Sequence, residues 1–137
     1  MGQSIRDIMS SDPVVLEASC SLEEAARAMR ERDIGDILVT NDGTLCGIIT
    51  DRDIVVRGLA EGRTSATIGD IVSEDLVTLS PEDTVEHAVA LMKEHAVRRL
   101  PVVSYDRPVG IVSIGDLAVE RDETSALAAI SSARPNR

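Results

Sequence analysis

Shifting the sequence by 63 residues aligns Ile5 to Val55 with Ile68 to Ala118 without a gap, and 15 of the 51 paired positions are identical. Chance pairing at average composition supplies roughly three. The chain is therefore one unit written twice, and its fold must be buildable from two equivalent copies. Identical pairs include Asp7 with Asp70, Ser10 with Ser73, Val14 with Val77, Met29 with Met92, Gly47 with Gly110 and Asp53 with Asp116. The period exceeds the roughly 20–50 residues of solenoid repeats, so two domain-sized halves are expected rather than a stack of small ones.

Each half reads in the order βαββα. In the first, Val14-Val15-Leu16 is a short apolar run, and Ser21-Leu22-Glu23-Glu24 has the Ser-x-x-Glu form that opens a helix by reciprocal capping. Leu22, Ala25, Ala26 and Met29 make its apolar stripe, and the helix is expected to end near Gly35. Ile37–Thr40 and Leu45–Ile49 read as strands joined across Asn41-Asp42-Gly43-Thr44, whose Asp-Gly pair suits the positive φ of a hairpin turn. Thr50 then caps a second helix from Asp51 to about Leu59, ended with the help of Gly62. The second copy repeats this with a strand at Val77–Leu79 and a helix capped by Thr84 that turns Val85, Ala88, Val89 and Met92 inward. Strands near Leu100–Val103 and Val109–Val112 and a helix from Ser113 follow. Gly2–Ser4 and Gly62–Thr67 read as connections. The expected divisions are residues 5–62, residues 63–120 and a tail over 121–137 that is partly helical or disordered.

With one Tyr and neither Phe nor Trp, the core must be aliphatic, and 137 residues can bury about two-thirds of their unfolded surface without disulfides or metals. The formal charge of −10 repels DNA and anionic membrane surfaces. Each half contributes 12 acidic and 7 basic residues when the chain is divided after Ala66, so no basic arm hides in the average. There is no basic start followed by an apolar run and no stretch of 18 apolar residues, which makes a cytoplasmic location the expectation. Cys20 and Cys46 belong to no CxxC pair and read as buried or partly buried thiols.

The pattern richest in chemistry is Gly47-Ile48-Ile49-Thr50-Asp51-Arg52-Asp53, echoed by Gly110-Ile111-Val112-Ser113-Ile114-Gly115-Asp116. A strand runs into a helix-capping hydroxyl, with a carboxylate three residues on. Capping alone explains one such pattern. A helix start can also hold a phosphate and a fixed carboxylate can accept two ribose hydroxyls, so the repeated pattern equally suits a nucleoside phosphate. Gly47 and Gly110 permit close approach of a ligand or another backbone, or mark a bulge. Arg98 and Arg99, at a strand entrance, are either a local focus for phosphate or a pair of solvated charges. The first copy carries Gly35-Asp36 there, so the copies offer a ligand different electrostatics. His87 and His95 lack a third ligand at metal spacing, and there is neither a Ser-His-Asp set, a Walker lysine loop nor a metal-carboxylate cluster, so an enzyme is not expected.

The paired βαββα copies, Asp7-Ile8-Met9, the Arg-Arg-Leu-Pro-Val-Val segment of Arg98–Val103 and the twice-written Gly-h-x-Thr/Ser-x-x-Asp pattern resemble the tandem cystathionine-β-synthase (CBS) domain family, here as a stand-alone Bateman module. The resemblance spans Ile5 to Val119. It implies an α/β (α+β) fold of two repeats related by a pseudo-twofold axis, assembled as a homodimer. It also implies an adenosine ligand (AMP, ADP, ATP or S-adenosylmethionine) in clefts between repeats, with Mg²⁺ entering only alongside ATP. Carried over residue by residue, it puts ribose recognition on Asp53 and Asp116, phosphate or ribose contacts on Thr50 and Ser113, and phosphate contacts on Arg98 and Arg99. Asp36, Gly35, Leu38 and Asp51 depart from the pattern in the first copy. The expected function is a non-enzymatic regulatory module that signals to a separate effector protein, the alternative being a ligand-free dimeric structural or interaction protein related to stress.

Overall fold

The computed structural model describes residues 3–72 and 76–121, with side chains described as far as Ala118; the expected tail from residue 122 onward lies outside the described residues. Among the described residues there are two compact units, one within Val14–Leu76 and one that joins those before Val14 to those after Leu76.

In the Val14–Leu76 unit, β2 (Val15–Glu17) runs parallel to β3 (Asp36–Asn41), which pairs antiparallel with β4 (Thr44–Thr50). The β3 run Ile37–Thr40 is buried at every position, as expected of a central strand covered on both faces. Asp42 (φ 53°) and Gly43 (φ 83°) make the tight turn between β3 and β4, as the Asp-Gly pair predicts. Glu17 clamps that turn from β2: its carboxylate accepts the Thr40 hydroxyl and the Asp42 N–H, the latter at 2.9 Å. Helix α2 (Leu22–Arg32) opens with the Ser21/Glu24 capping box and buries Leu22, Ala25 and Met29. It stops at Asp33 in a left-handed conformation, two residues short of the expected Gly35, because an Asp there adopts positive φ without needing glycine. The second helix divides into α3 (Asp51–Asp53) and a π-helical segment, Ile54–Leu59, which periodicity does not foretell.

The other unit mirrors this arrangement. Helix α5 (Val85–His95), capped by Thr84, packs on β5 (Arg99–Ser104) and β6 (Arg107–Ser113), and α6 (Ile114–Arg121) follows. The strand expected at Val77–Leu79 is reduced to one parallel bridge, Leu79 with Val102, held by Leu79 N–H to the Pro101 carbonyl and Val103 N–H to the Leu79 carbonyl. Pro101, having no N–H, leaves that ladder short.

The two copies exchange their opening segments. α1 (Ile5–Ile8) and β1 (Ser10–Ser11) belong to the unit of the second copy, where β1 pairs antiparallel with β6 and Ile5 is fully buried beside Leu79, Val85, Leu100 and Leu117. Ile5 N–H reaches the Asp83 carbonyl, Arg6 N–H the Pro81 carbonyl, and Arg6 pairs with Glu82 at 2.6 Å. Reciprocally, α4 (Ile68–Ile71) lies in the first copy's unit, where Ile68 N–H bonds the Cys20 carbonyl, Gly69 N–H the Ala18 carbonyl, and Ile68 and Ile71 enter its core. These bonds are equivalent under the 63-residue shift. The expected βαββα order thus gains a one-turn helix at the head of each copy. Among the described residues no helix is long and apolar enough to cross a membrane.

Candidate functional site

Each unit brings one copy of the hydroxyl–carboxylate pattern to the point where a strand becomes a helix. At the end of β4, Thr50 is extended (φ −113°, ψ 164°), its Oγ1 accepts the Asp53 N–H at 3.1 Å, and Asp53 Oδ2 accepts the Thr50 N–H at 2.9 Å. At the end of β6, Ser113 Oγ accepts the Asp116 N–H at 3.2 Å and Asp116 Oδ2 accepts the Ser113 N–H at 2.8 Å. The helix-cap account of these residues is therefore met in full, within each box.

The same reciprocal box occurs at Ser21/Glu24, and at Ser4/Asp7 and Thr67/Asp70 the carboxylate likewise accepts the N-cap N–H, so a box alone is no mark of a site. What separates the Thr50/Asp53 and Ser113/Asp116 boxes is that each follows directly from a sheet strand and that their bonds are partly buried, whereas those at Ser4, Ser21 and Thr67 are exposed. Each carboxylate engages one oxygen, Oδ2, in its box; a carboxylate has about four acceptor directions, so Oδ1 retains capacity for two ligand hydroxyls.

A third element borders each box. Asp51 N–H bonds the Gly35 carbonyl at 3.0 Å and Asp36 stands opposite Thr50, so the acidic entrance of β3 flanks the first box. Ile114 N–H bonds the Arg98 carbonyl at 2.8 Å and Arg99 stands opposite Ser113, which places both arginines beside the second. Arg98 is exposed, and Arg99 and the four box residues are half-buried. The structure thus groups Arg98, Arg99, Ser113 and Asp116 in one unit and Thr50 and Asp53 in the other.

Gly110 is explained without a ligand: a Cβ there would lie 2.9 Å from the Ser10 carbonyl oxygen and 2.5 Å from Met9 Sδ, because β1 approaches at that point. Bulges fall in β3 between Val39 and Thr40 and in β5 between Val102 and Val103, next to the partners of Gly47 and Gly110. No group of three or more His, Cys, Asp or Glu poised for a metal occurs among the described residues. Cys20 and Cys46 are free and half-buried; burial is the first cause that pushes both thiols above their ordinary value, which makes them poor nucleophiles. Residue patterns did not single out the carbonyls of Gly35 and Arg98, since main-chain groups carry no side-chain signal, nor Gly58, whose buried position depends on a distant partner.

The CBS domain family model matches residues 5–59 and 68–123. The CBS domain-containing protein YhcV of Bacillus subtilis (strain 168) is 39% identical over 119 residues, 86% of this chain and 85% of that protein. Hypoxic response protein 1 of Mycobacterium tuberculosis is 39% identical over 116 residues, 82% of this chain and 81% of that one. A crystal structure of Hypoxic Response Protein I with two coordinated zinc ions superposes with a TM-score of 0.78 at 38% identity, covering 85% of this chain and 97% of the other. The CBS domain pair of protein MJ0100, in complex with 5′-methylthioadenosine and S-adenosyl-L-methionine, superposes with a TM-score of 0.81 at 28% identity, covering 91% of this chain and all of that one. Two matched copies, folded as the solved pairs are, make this chain a member of the CBS domain family, a tandem CBS pair of the Bateman type.

Proposed function

We propose that this CBS pair is a non-enzymatic regulatory module that binds an adenosine ligand (AMP, ADP, ATP or S-adenosylmethionine) through Thr50 and Asp53 and through Ser113, Asp116, Arg98 and Arg99, and signals to a separate effector protein. The observation that carries the reading is the partly buried hydroxyl–carboxylate box at a strand-to-helix junction, present in both copies and flanked in the second by two arginines. The carboxylates would take ribose hydroxyls and the arginines a phosphate. The adenosine ligands of the MJ0100 pair support the ligand class. A homodimer working in the cytoplasm fits the family and the outward-facing apolar Val55, Val56 and Leu59.

Calorimetric titration with AMP, ADP, ATP with and without Mg²⁺, and S-adenosylmethionine tests this, run beside Asp53→Asn and Asp116→Asn. Loss of one charge-assisted bond should weaken binding about 10- to 100-fold in the variant whose site is occupied. No heat with any ligand, or turnover of ATP, would overturn the reading. A ligand-free dimeric interaction protein is the second reading, favoured by the fact that both boxes satisfy their helix starts without a ligand.

A further inference from the structure

The same capping box leads into different helices in the two copies. After Ser113/Asp116 the chain winds as an α-helix over Ile114–Arg121; after Thr50/Asp53 it passes into the π-helix Ile54–Leu59, with Ala60 N–H on the Val55 carbonyl at 2.8 Å and Arg63 N–H on the Gly58 carbonyl at 2.9 Å. π-Helical turns are rare and concentrate at functional sites. Among the positions where the copies differ here is Gly58, which is Arg121 in the second copy. Gly58 is buried, and a Cβ on it would stand 2.7 Å from Leu22 Cδ1 and 3.6 Å from Ile71 Cδ1. Leu22 is itself buried in the core with Ile68 and Ile71, so its methyl groups have little free space to turn into.

We infer that Gly58 is a positioning residue for Asp53: its missing side chain lets the helix that carries Asp53 rest on Leu22, and this contact sets the aim of the Asp53 carboxylate. The inference builds on the ligand reading above. The helix is held at its start by the Thr50 box and by Asp51 N–H on the Gly35 carbonyl, and further along by Gly58. Between these two anchors the wider π winding takes up the chain. A side chain at position 58 lifts the second anchor off Leu22, and the helix must tilt or rewind about the first. Asp53 closes the first anchor as the third residue of this helix, so a tilt about Thr50 turns its carboxylate with the helix. A displacement of a few tenths of an ångström there is comparable with the whole 2.7–3.2 Å range of a good hydrogen bond.

The test is calorimetry with 5′-methylthioadenosine and AMP on wild type, Asp53→Asn, Gly58→Ala, and the double variant Gly58→Ala/Leu22→Val, with urea unfolding of each. Valine is what the second copy carries at the position of Leu22, and it removes the δ-methyl groups that a new Cβ would meet. Gly58→Ala should weaken the Asp53-dependent binding about tenfold, the scale of one impaired charge-assisted hydrogen bond. The double variant should recover most of that affinity while being less stable than wild type, since a core methylene is gone. A purely structural role predicts the opposite for the double variant, with binding falling along with stability. Asp53-dependent binding that survives Gly58→Ala shows that Leu22 merely turns aside and overturns the inference alone, and so does a loss the double variant fails to restore. Absence of Asp53-dependent binding in wild type overturns the ligand reading at this box and the inference with it.

Discussion

The main-chain N–H of Ile114 donates to the carbonyl of Arg98 at 2.8 Å, so the start of α6 is tied to the strand entrance that carries Arg98 and Arg99. In the first copy the same bond runs from Asp51 to Gly35, which has no charge to bring. One backbone construction therefore carries two different electrostatic environments.

If the proposed ligand is held as described, Arg98→Ala lowers AMP affinity about tenfold, the lower end of what a charged contact is worth. Affinity for 5′-methylthioadenosine, which has no phosphate, should stay within about twofold. Calorimetry with both ligands on one variant separates a phosphate contact from a folding defect. On wild type without Mg²⁺, ATP binding should fall more steeply with salt than AMP binding, because against a net charge of −10 a triphosphate depends more on its attraction to Arg98 and Arg99, which salt screens. Equal salt slopes would argue against a phosphate held by arginine.

Ile5 and Ile68 should behave as core residues of the unit that contains the other copy's sheet. Both are fully buried, and Ile5→Ala or Ile68→Ala should each cost about 2–5 kcal/mol by urea unfolding. Backbone chemical shifts should change around Leu79, Val85 and Leu100 for Ile5→Ala, and around Leu22 and Ile37 for Ile68→Ala. Changes confined to each residue's own copy would contradict the exchange.

Ala96 closes α5 at φ 54°, ψ 44°, a left-handed conformation that a Cβ disfavours. Ala96→Gly should stabilise the protein by about 0.5–1 kcal/mol, the relief of that strain less the greater unfolded entropy of glycine. A rise in the urea midpoint at unchanged slope is the expected result.

Acid should loosen the hairpin turn of the first copy. The Glu17 carboxyl is held below its ordinary value of 4.5, first by the Thr40 hydroxyl and then by the Asp42 N–H. Glu24 and Asp70 are likewise lowered, in each case first by the backbone N–H of the residue they cap, Ser21 and Thr67. A group whose folded value is depressed contributes stability that is present above its unfolded value and is lost as pH falls through the folded one. The urea midpoint should therefore be flat above about pH 5.5 and drop below about pH 4.5, with Glu17→Gln showing a shallower drop. An unchanged acid slope in that variant would remove Glu17 from the account.

Self-comparison disclosed the duplication and composition the aliphatic core, and local signals were enough for the capped helices α2 and α5, the Asp42-Gly43 turn and the two hydroxyl–carboxylate boxes, because each of these depends on residues within a few positions of one another: Ser21 with Glu24, Thr50 with Asp53, Ser113 with Asp116. The tertiary structure alone decided the rest. Ile5 meets Leu79 and Ile68 meets Leu22 only after the chain has turned back on itself, so no periodicity announces that the opening helices are exchanged. The close approach of Gly58 to Leu22, 36 positions earlier, exists only in the folded chain, and the reduced bridge at Leu79 depends on a proline in the strand beside it. Sequence period and capping chemistry act between near neighbours; packing joins surfaces that the covalent chain keeps far apart, and there the closest contacts decide which local conformation survives.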